Sequence, residues 1–176
     1  MPAIGITGGI STGKSTFCDC LRELLPDAKF FNADAAAREL VDLDPEVKNE
    51  IAREFGSEIF SASGDLNRAA LRAIVFASAD RKAALEKILH PRIRRRWSAE
   101  AQTHRNSPKF FFADIPLLYE TGGEALCDRV VVVACAPGIQ LARLFGRGSV
   151  DRAEAEKIIK SQMPLNEKIA LADHVV

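Results

Sequence analysis

The chain has 176 residues, with 24 Lys plus Arg against 24 Asp plus Glu, 47% hydrophobic and 27% charged. That balance describes a globular α/β domain with room for one inserted subdomain, and its even charge argues against a nucleic-acid partner. The longest apolar run, VVVVACA at 130–136, is too short to cross a bilayer, so no membrane partner is expected.

A strand is predicted at 3–7, within a few residues of Met1, which predicts no signal peptide and a cytoplasmic location. It leads into the stretch IGITGGISTGKST at 4–16. A helix follows at 14–25, with Phe17, Cys20, Leu21, Leu24 and Leu25 as its apolar stripe and Pro26 as its stop. A second strand is expected at 29–32. Just beyond it stands Asp34, in FFNADAAAR. Asp34 is either the N-cap of a helix at 35–41 or an acceptor aimed at a substrate hydroxyl.

No strand pattern appears between Asp34 and Ser107, so 35–107 reads as a helical insert. Asp44-Pro45 opens one helix as N-cap and first residue, and Gly56 closes it. Helices at 68–77, 81–90 and 92–103 come next, the last two separated by a break at Pro91. Leu85, Ile88, Leu89, Ile93 and Trp97 supply apolar faces. The basic run RIRRRW at 92–97 reads as a solvated face with Ile93 and Trp97 turned inward, against the alternatives of a grip on a phosphorylated substrate or on nucleic acid with Trp97 stacking. Strands are expected at 109–115, 129–135 and 174–176. FFFADI and VVVVAC are continuous rather than alternating, as in parallel strands covered on both faces. Asp151 and Glu154 form a capping pair for a helix reaching toward Gln162. Cys18, Cys20, Cys127 and Cys135 lack metal-ligand spacing and read as reduced thiols.

Gly8-x-x-x-x-Gly13-Lys14-Ser15 matches the phosphate-binding loop, in the strand-to-helix context that loop requires. Gly8, Gly9, Ile10, Ser11, Thr12, Gly13, Lys14, Ser15 and Thr16 are therefore expected to hold the phosphates of ATP. Glycines let successive N–H groups curl inward, Lys14 reaches the β/γ-phosphates, and the Ser15 hydroxyl ligates Mg²⁺. Asp114 ends the apolar strand at the edge where open α/β sheets bind ligands. It is either a second contributor to the Mg²⁺ site or a cap for the next turn. Arg143 and Arg147 bracket a glycine-containing turn. They are either lid arginines that close over the phosphates or a solvated pair on one helix face. The guanine-reading Asn-Lys-x-Asp is absent, and so is an Asp-x-x-Gly after the acid-bearing strand. A small-molecule kinase of the nucleoside-monophosphate-kinase type remains, against motor and switch proteins.

The chain resembles the dephospho-coenzyme A kinase family. The resemblance rests on GITGGISTGKST, NADAAAREL, FGSEIFSASGDLNRAALRAIVF, LEKILHPRI, ADIPLLYETG, QLARLFGR and AEKIIKSQMPLNEKIALADHVV, in the family's order and over nearly the whole chain. It implies a P-loop NTPase fold: a three-layer α/β/α core with a parallel sheet at 1–34 and 108–176, and a small lid at about 138–165. It also implies that 35–107 binds the CoA substrate and that no obligate protein partner is needed. By the same resemblance Asp34 falls at the catalytic base for the ribose 3′-hydroxyl. Arg38 falls at a substrate-contacting arginine of the same helix, and Arg143 and Arg147 at the lid arginines. His90, Pro91, Leu117, Leu118 and Glu120 fall in segments that shape the CoA-side pocket. Asn32 stands where the family often has aspartate, and Gly148 where an acidic residue is common.

Overall fold

The computed structural model describes residues 3–146 and 151–176. Strands and helices follow in the order β1 (Ala3–Gly8), α1 (Lys14–Leu24), β2 (Lys29–Asn32), α2 (Ala33–Leu43), α3 (Pro45–Phe55), α4 (Arg68–Ala77) and α5 (Ala79–His104). Then come β3 (Phe111–Asp114), β4 (Arg129–Val133), α6 (Pro137–Phe145), α7 (Arg152–Lys160), α8 (Leu165–Leu171) and β5 (His174–Val175).

The five strands form one parallel sheet in the order β2-β3-β1-β4-β5. With its flanking helices it has the α/β architecture of the P-loop fold. Every residue of β3 is buried, which explains its unbroken apolar run. Register places Ile6 opposite Asp114 and Asn32 opposite Asp114, so three strand ends reach the same level. On one sheet face, Ile4, Ile6, Phe30, Phe112 and Val133 pack against Phe17, Cys18, Leu21 and Leu25 from and beside α1. That face differs from the predicted stripe. Cys20 is exposed, Leu24 is 75% exposed, and Cys18 is buried instead. At 100° per residue, positions 14, 17, 18, 21 and 25 stay on one stripe, whereas 20 rotates off it and 24 falls at its edge, on the last residue of the helix.

The chain divides into two units: residues up to Asn32 together with those from Ser98 onward, and Ala33–Trp97. The second unit has its own core of Leu40, Val41, Val47, Ile51, Phe55, Ile59 and Leu71, backed by Ile74, Leu85, Ile88, Leu89 and Ile93. Its helix starts follow the expected chemistry. The Asp44 carboxylate accepts from the backbone N–H groups of Glu46 (2.9 Å) and Val47 (3.2 Å), and Asn67 caps α4 through Ala70. In the first unit, Asp151 caps α7 through the Glu154 N–H at 2.8 Å.

The expected break at Pro91 does not occur. α5 runs unbroken through it, from Ala79 to His104. Pro91 removes one helical donor, but neighbouring interactions hold the turns on either side. The Arg92 guanidinium donates to the Ile88 carbonyl at 2.8 Å and to both oxygens of Glu50 at 2.7 and 3.2 Å. Trp97, in the following turns, is 2% exposed. The rest of the basic run behaves as a solvated face, with Arg96 paired to Glu39 at 3.0 Å.

Candidate functional site

The loop between β1 and α1 carries the geometry its glycines predict. A Cβ on Gly8 would lie 2.4 Å from the Val133 carbonyl oxygen, so only glycine lets β1 and β4 come this close as the loop departs. Gly13 has φ 107 and stands at the N-cap of α1 without a side chain to close the helix. The first N–H groups of α1 are thus not capped by a side chain, and the dipole end of the helix opens toward the loop. Thr12 is buried and braces the loop internally, its hydroxyl donating to the Gly9 carbonyl at 2.9 Å. Ser11 adopts φ 60 and is the one non-glycine residue in the left-handed region among those described. Its Oγ is buried without a hydrogen-bond partner.

Lys14 opens α1 and forms an ion pair with Asp114 at the end of β3. Asp114 is 2% exposed, and its second oxygen accepts from the Asn32 amide at 2.8 Å. The Cys18 thiol lies close enough to feel this carboxylate. Burial is the main reason that the thiol is pushed up to about 11, with the Asp114 charge adding to it. Asp114 therefore does not cap the next turn. It gathers Lys14, Asn32 and Cys18 at the carboxyl ends of the strands. Ser15 and Thr16 lie exposed on the first turn of α1. Ser15 and Asp114 together offer hard oxygen donors, few in number, which is the donor set Mg²⁺ takes when phosphates and water complete its shell.

The C-terminal elements hold this loop by its backbone. Gln140 of α6, 5% exposed, donates to the Ile10 carbonyl at 2.8 Å, and Gln162 accepts from the Ile10 N–H at 2.9 Å. Arg143 donates to the Thr12 carbonyl at 2.9 Å. Arg143 is thus not simply solvated. Arg147 lies outside the described residues.

Asp34 sits in the first turn of α2 and is exposed. The helix already begins at Ala33, so Asp34 is inside it and is not its N-cap. Arg38 is exposed one turn later, on the same helix face. His90 and Pro91 lie within α5. His90 is half-buried, and burial lowers its pKa below the usual 6.5; Glu86 opposes that shift and Lys82 adds to it. In the sheet unit, Leu118 is fully buried and Leu117 half-buried. The Glu120 carboxylate has partners inside the protein, Lys168 at 2.8 Å and the Met163 N–H at 3.0 Å.

Three residues gathered here carry no expectation from sequence, Gln140, Gln162 and Lys168, and Asn32 is marked there only as standing where the family often has aspartate. Lys168 did leave a signal. In α8 it stands on the same helical face as Leu165, an apolar position occupied by a lysine, and such a lysine is buried only when it has partners.

A parallel sheet with a phosphate loop after its central strand, and a strand-end acid paired to the loop lysine, define a P-loop kinase. The fold extends to a shikimate kinase from Acinetobacter baumannii, at TM-score 0.52 and 14% identity, covering all of this chain and 83% of that one. The family is narrower. The model described as CoaE: Dephospho-CoA kinase matches residues 2–176, and the chain belongs to that family. It is 44% identical over 177 residues to the dephospho-CoA kinase of Anaeromyxobacter dehalogenans, covering 100% of this chain and 83% of that protein. It is 39% identical over 174 residues to that of Bacillus anthracis, covering 98% and 86%. Dephospho-CoA kinase from Campylobacter jejuni superposes with a TM-score of 0.72 at 27% identity, over 99% of this chain and 86% of that one. Among the described residues, no helix is long and apolar enough to cross a membrane.

Proposed function

We propose that this chain transfers the terminal phosphoryl group of ATP to the ribose 3′-hydroxyl of dephospho-CoA, giving CoA and ADP, and that it acts in the cytoplasm. The observation that carries the reading is the Lys14–Asp114–Asn32 cluster beside a phosphate loop that opens onto an uncapped helix start. Family membership supports the acceptor.

In this reading residues 8–16 hold the phosphates through backbone N–H groups. The flexible stem of Lys14 lets its ammonium turn from Asp114 to the phosphate oxygens as a point charge. The Ser15 hydroxyl and the Asp114 carboxylate would hold Mg²⁺, which when bound neutralises charge on the β- and γ-phosphate oxygens. The acceptor oxygen forms its bond to phosphorus as the bond to the bridging β–γ oxygen breaks, and ADP leaves with that electron pair. Asp34 takes the hydroxyl proton. Arg38, one turn along, meets the acceptor's own phosphates, and residues 35–107 form the CoA-binding insert. His90, Pro91, Leu117, Leu118 and Glu120 belong to the acceptor side. Arg143 and Arg147 of the lid, at about 138–165, neutralise charge on the transferring group. The transition state is loose, so positioning and charge neutralisation outweigh the base.

An ADP-release assay coupled to NADH oxidation tests the reading. Dephospho-CoA should trigger ADP production and AMP should not. Equal stimulation by AMP, or ATP turnover indifferent to both, would refute it.

A further inference from the structure

Lys168 has no role in the reaction just described, yet its side chain is 0% exposed. A wholly buried ammonium is maintained only where oxygen atoms replace its water. Three do so here. Its Nζ meets the Glu120 carboxylate at 2.8 Å, the Pro116 carbonyl at 2.9 Å and the Gly8 carbonyl at 3.5 Å, the last at the outer edge of hydrogen-bond range. The Pro116 carbonyl also accepts from the hydroxyl of fully buried Thr7 at 2.9 Å.

The end of the ladder explains why a side-chain cation is placed at this point. The β1–β3 ladder ends with Ile6 opposite Asp114 and the Ile115 N–H on the Ile6 carbonyl. In a parallel ladder alternate residues of a strand donate to the same neighbour, so the next donor to β1 would come from residue 117, onto the Gly8 carbonyl. β1 does continue to Gly8, but β3 ends at Asp114 and the chain turns away into residues 116–120. The gap between them holds the Gly8 and Pro116 carbonyls. Lys168 fills it from α8, and Glu120 balances the charge.

The two carbonyls flank the reacting centre. Gly8 is the first residue of the phosphate loop, and Pro116 lies two residues past Asp114. Because a peptide unit is planar, turning the Gly8 carbonyl turns the Gly9 N–H with it. We infer that Lys168 is a positioning residue for the transfer: by drawing the Gly8 and Pro116 carbonyls to one ammonium, it sets the first peptide of the phosphate loop and its separation from Asp114. The inference rests on the reading that residues 8–16 hold ATP.

The experiment compares the parent with Lys168→Met, Lys168→Met/Glu120→Met and Lys14→Ala. Thermal midpoints come from circular dichroism, and MgATP affinities from isothermal titration. Lys168→Met strands the Glu120 carboxylate, so its midpoint should fall, and it should bind MgATP at least about tenfold more weakly. The double variant removes the stranded charge. It should regain most of the midpoint and keep the loss of ATP affinity, because the two carbonyls are still untethered. If the double variant recovers both together, Lys168 only neutralises Glu120 and the inference is overturned. Parent-like ATP affinity in Lys168→Met overturns it as well. Should Lys168→Met be too unstable to titrate, the double variant against the parent decides in the same way. Lys14→Ala is the separate control: if it binds MgATP as the parent does, the assignment of the phosphate loop fails, whatever Lys168 does.

Discussion

Lys14→Ala is the most informative single perturbation, because the lysine is tied both to stability and to transfer. The Lys14 and Asp114 side chains are 12% and 3% exposed, so the pair is almost wholly buried. Removing one partner of such a pair costs about 3–5 kcal/mol, since the other charge is left in a poor medium. Asp114 would retain the Asn32 amide at 2.8 Å and the Cys18 thiol, which places the loss at the low end, about 3 kcal/mol. For a chain of this size each kcal/mol moves the thermal midpoint by about 2–4 °C, so the nucleotide-free protein should melt about 6–12 °C lower. Transfer should suffer separately. Loss of one preorganised charge at the reacting group lowers kcat toward the upper end of the usual range, about 10³-fold. Asp34→Asn removes only the proton acceptor, and in a loose transition state that effect sits near the bottom of the usual range, about 10²-fold. Steady-state kinetics at saturating ATP and dephospho-CoA compare the two variants, and differential scanning calorimetry follows stability. Lys14→Ala/Asp114→Asn should recover the midpoint but not turnover. An Asp34→Asn loss equal to or larger than that of Lys14→Ala, or a Lys14→Ala melt unchanged from the parent, would refute the reasoning.

Ser11 holds a left-handed φ of 60 that glycine adopts without strain, and its buried Oγ lacks a partner. Ser11→Gly should therefore raise stability by about 1 kcal/mol, or about 2–4 °C, in a thermal melt; a lower midpoint would contradict this. The His90 pKa lies below its ordinary 6.5 because of burial, so just below that pH the unfolded chain binds the proton more readily than the folded one. Stability should thus fall as the pH drops from about 6.5 through the folded value, and His90→Gln should flatten that slope in melts between about pH 7.5 and 5.5. Burial pushes the thiols of Cys18 and Cys127 up to about 11 and 12, whereas Cys20 is exposed. Ellman's reagent at about pH 8 should modify Cys20 first and leave Cys18 and Cys127 untouched until unfolding, and rapid reaction of either would count against these surroundings.

What could be read from the sequence followed from local rules. The phosphate loop announces itself because its glycines answer a steric demand visible within eight residues: Gly8 against the Val133 carbonyl, Gly13 at φ 107. The caps Asp44 and Asp151 are local in the same way, each accepting from an N–H two or three residues on. The break expected at Pro91 failed because the proline rule is local too, while the bonds of Arg92 to Glu50 and the burial of Trp97 are not. The Asp34 cap failed by a shift of a helix start from 35 to Ala33.

The residues whose roles escaped notice act across the chain rather than along it. Asn32 reaches Asp114 over 82 residues, Gln140 and Gln162 reach Ile10 over 130 and 152, and Lys168 reaches Gly8 over 160. Their segments carry the family resemblance, but no local rule gives these residues a role, because each answers a demand that exists only once distant parts of the chain lie side by side. Pairing the strands aligns Asn32, Asp114 and Ile6, and the turn of the chain after β3 then leaves carbonyls that a distant donor satisfies. A parallel sheet brings its ligand-binding edge together from residues far apart in sequence. The motif therefore supplies the groups that face the phosphates, and the groups that hold those in place become visible only when the unpaired donors and acceptors at the strand ends are counted.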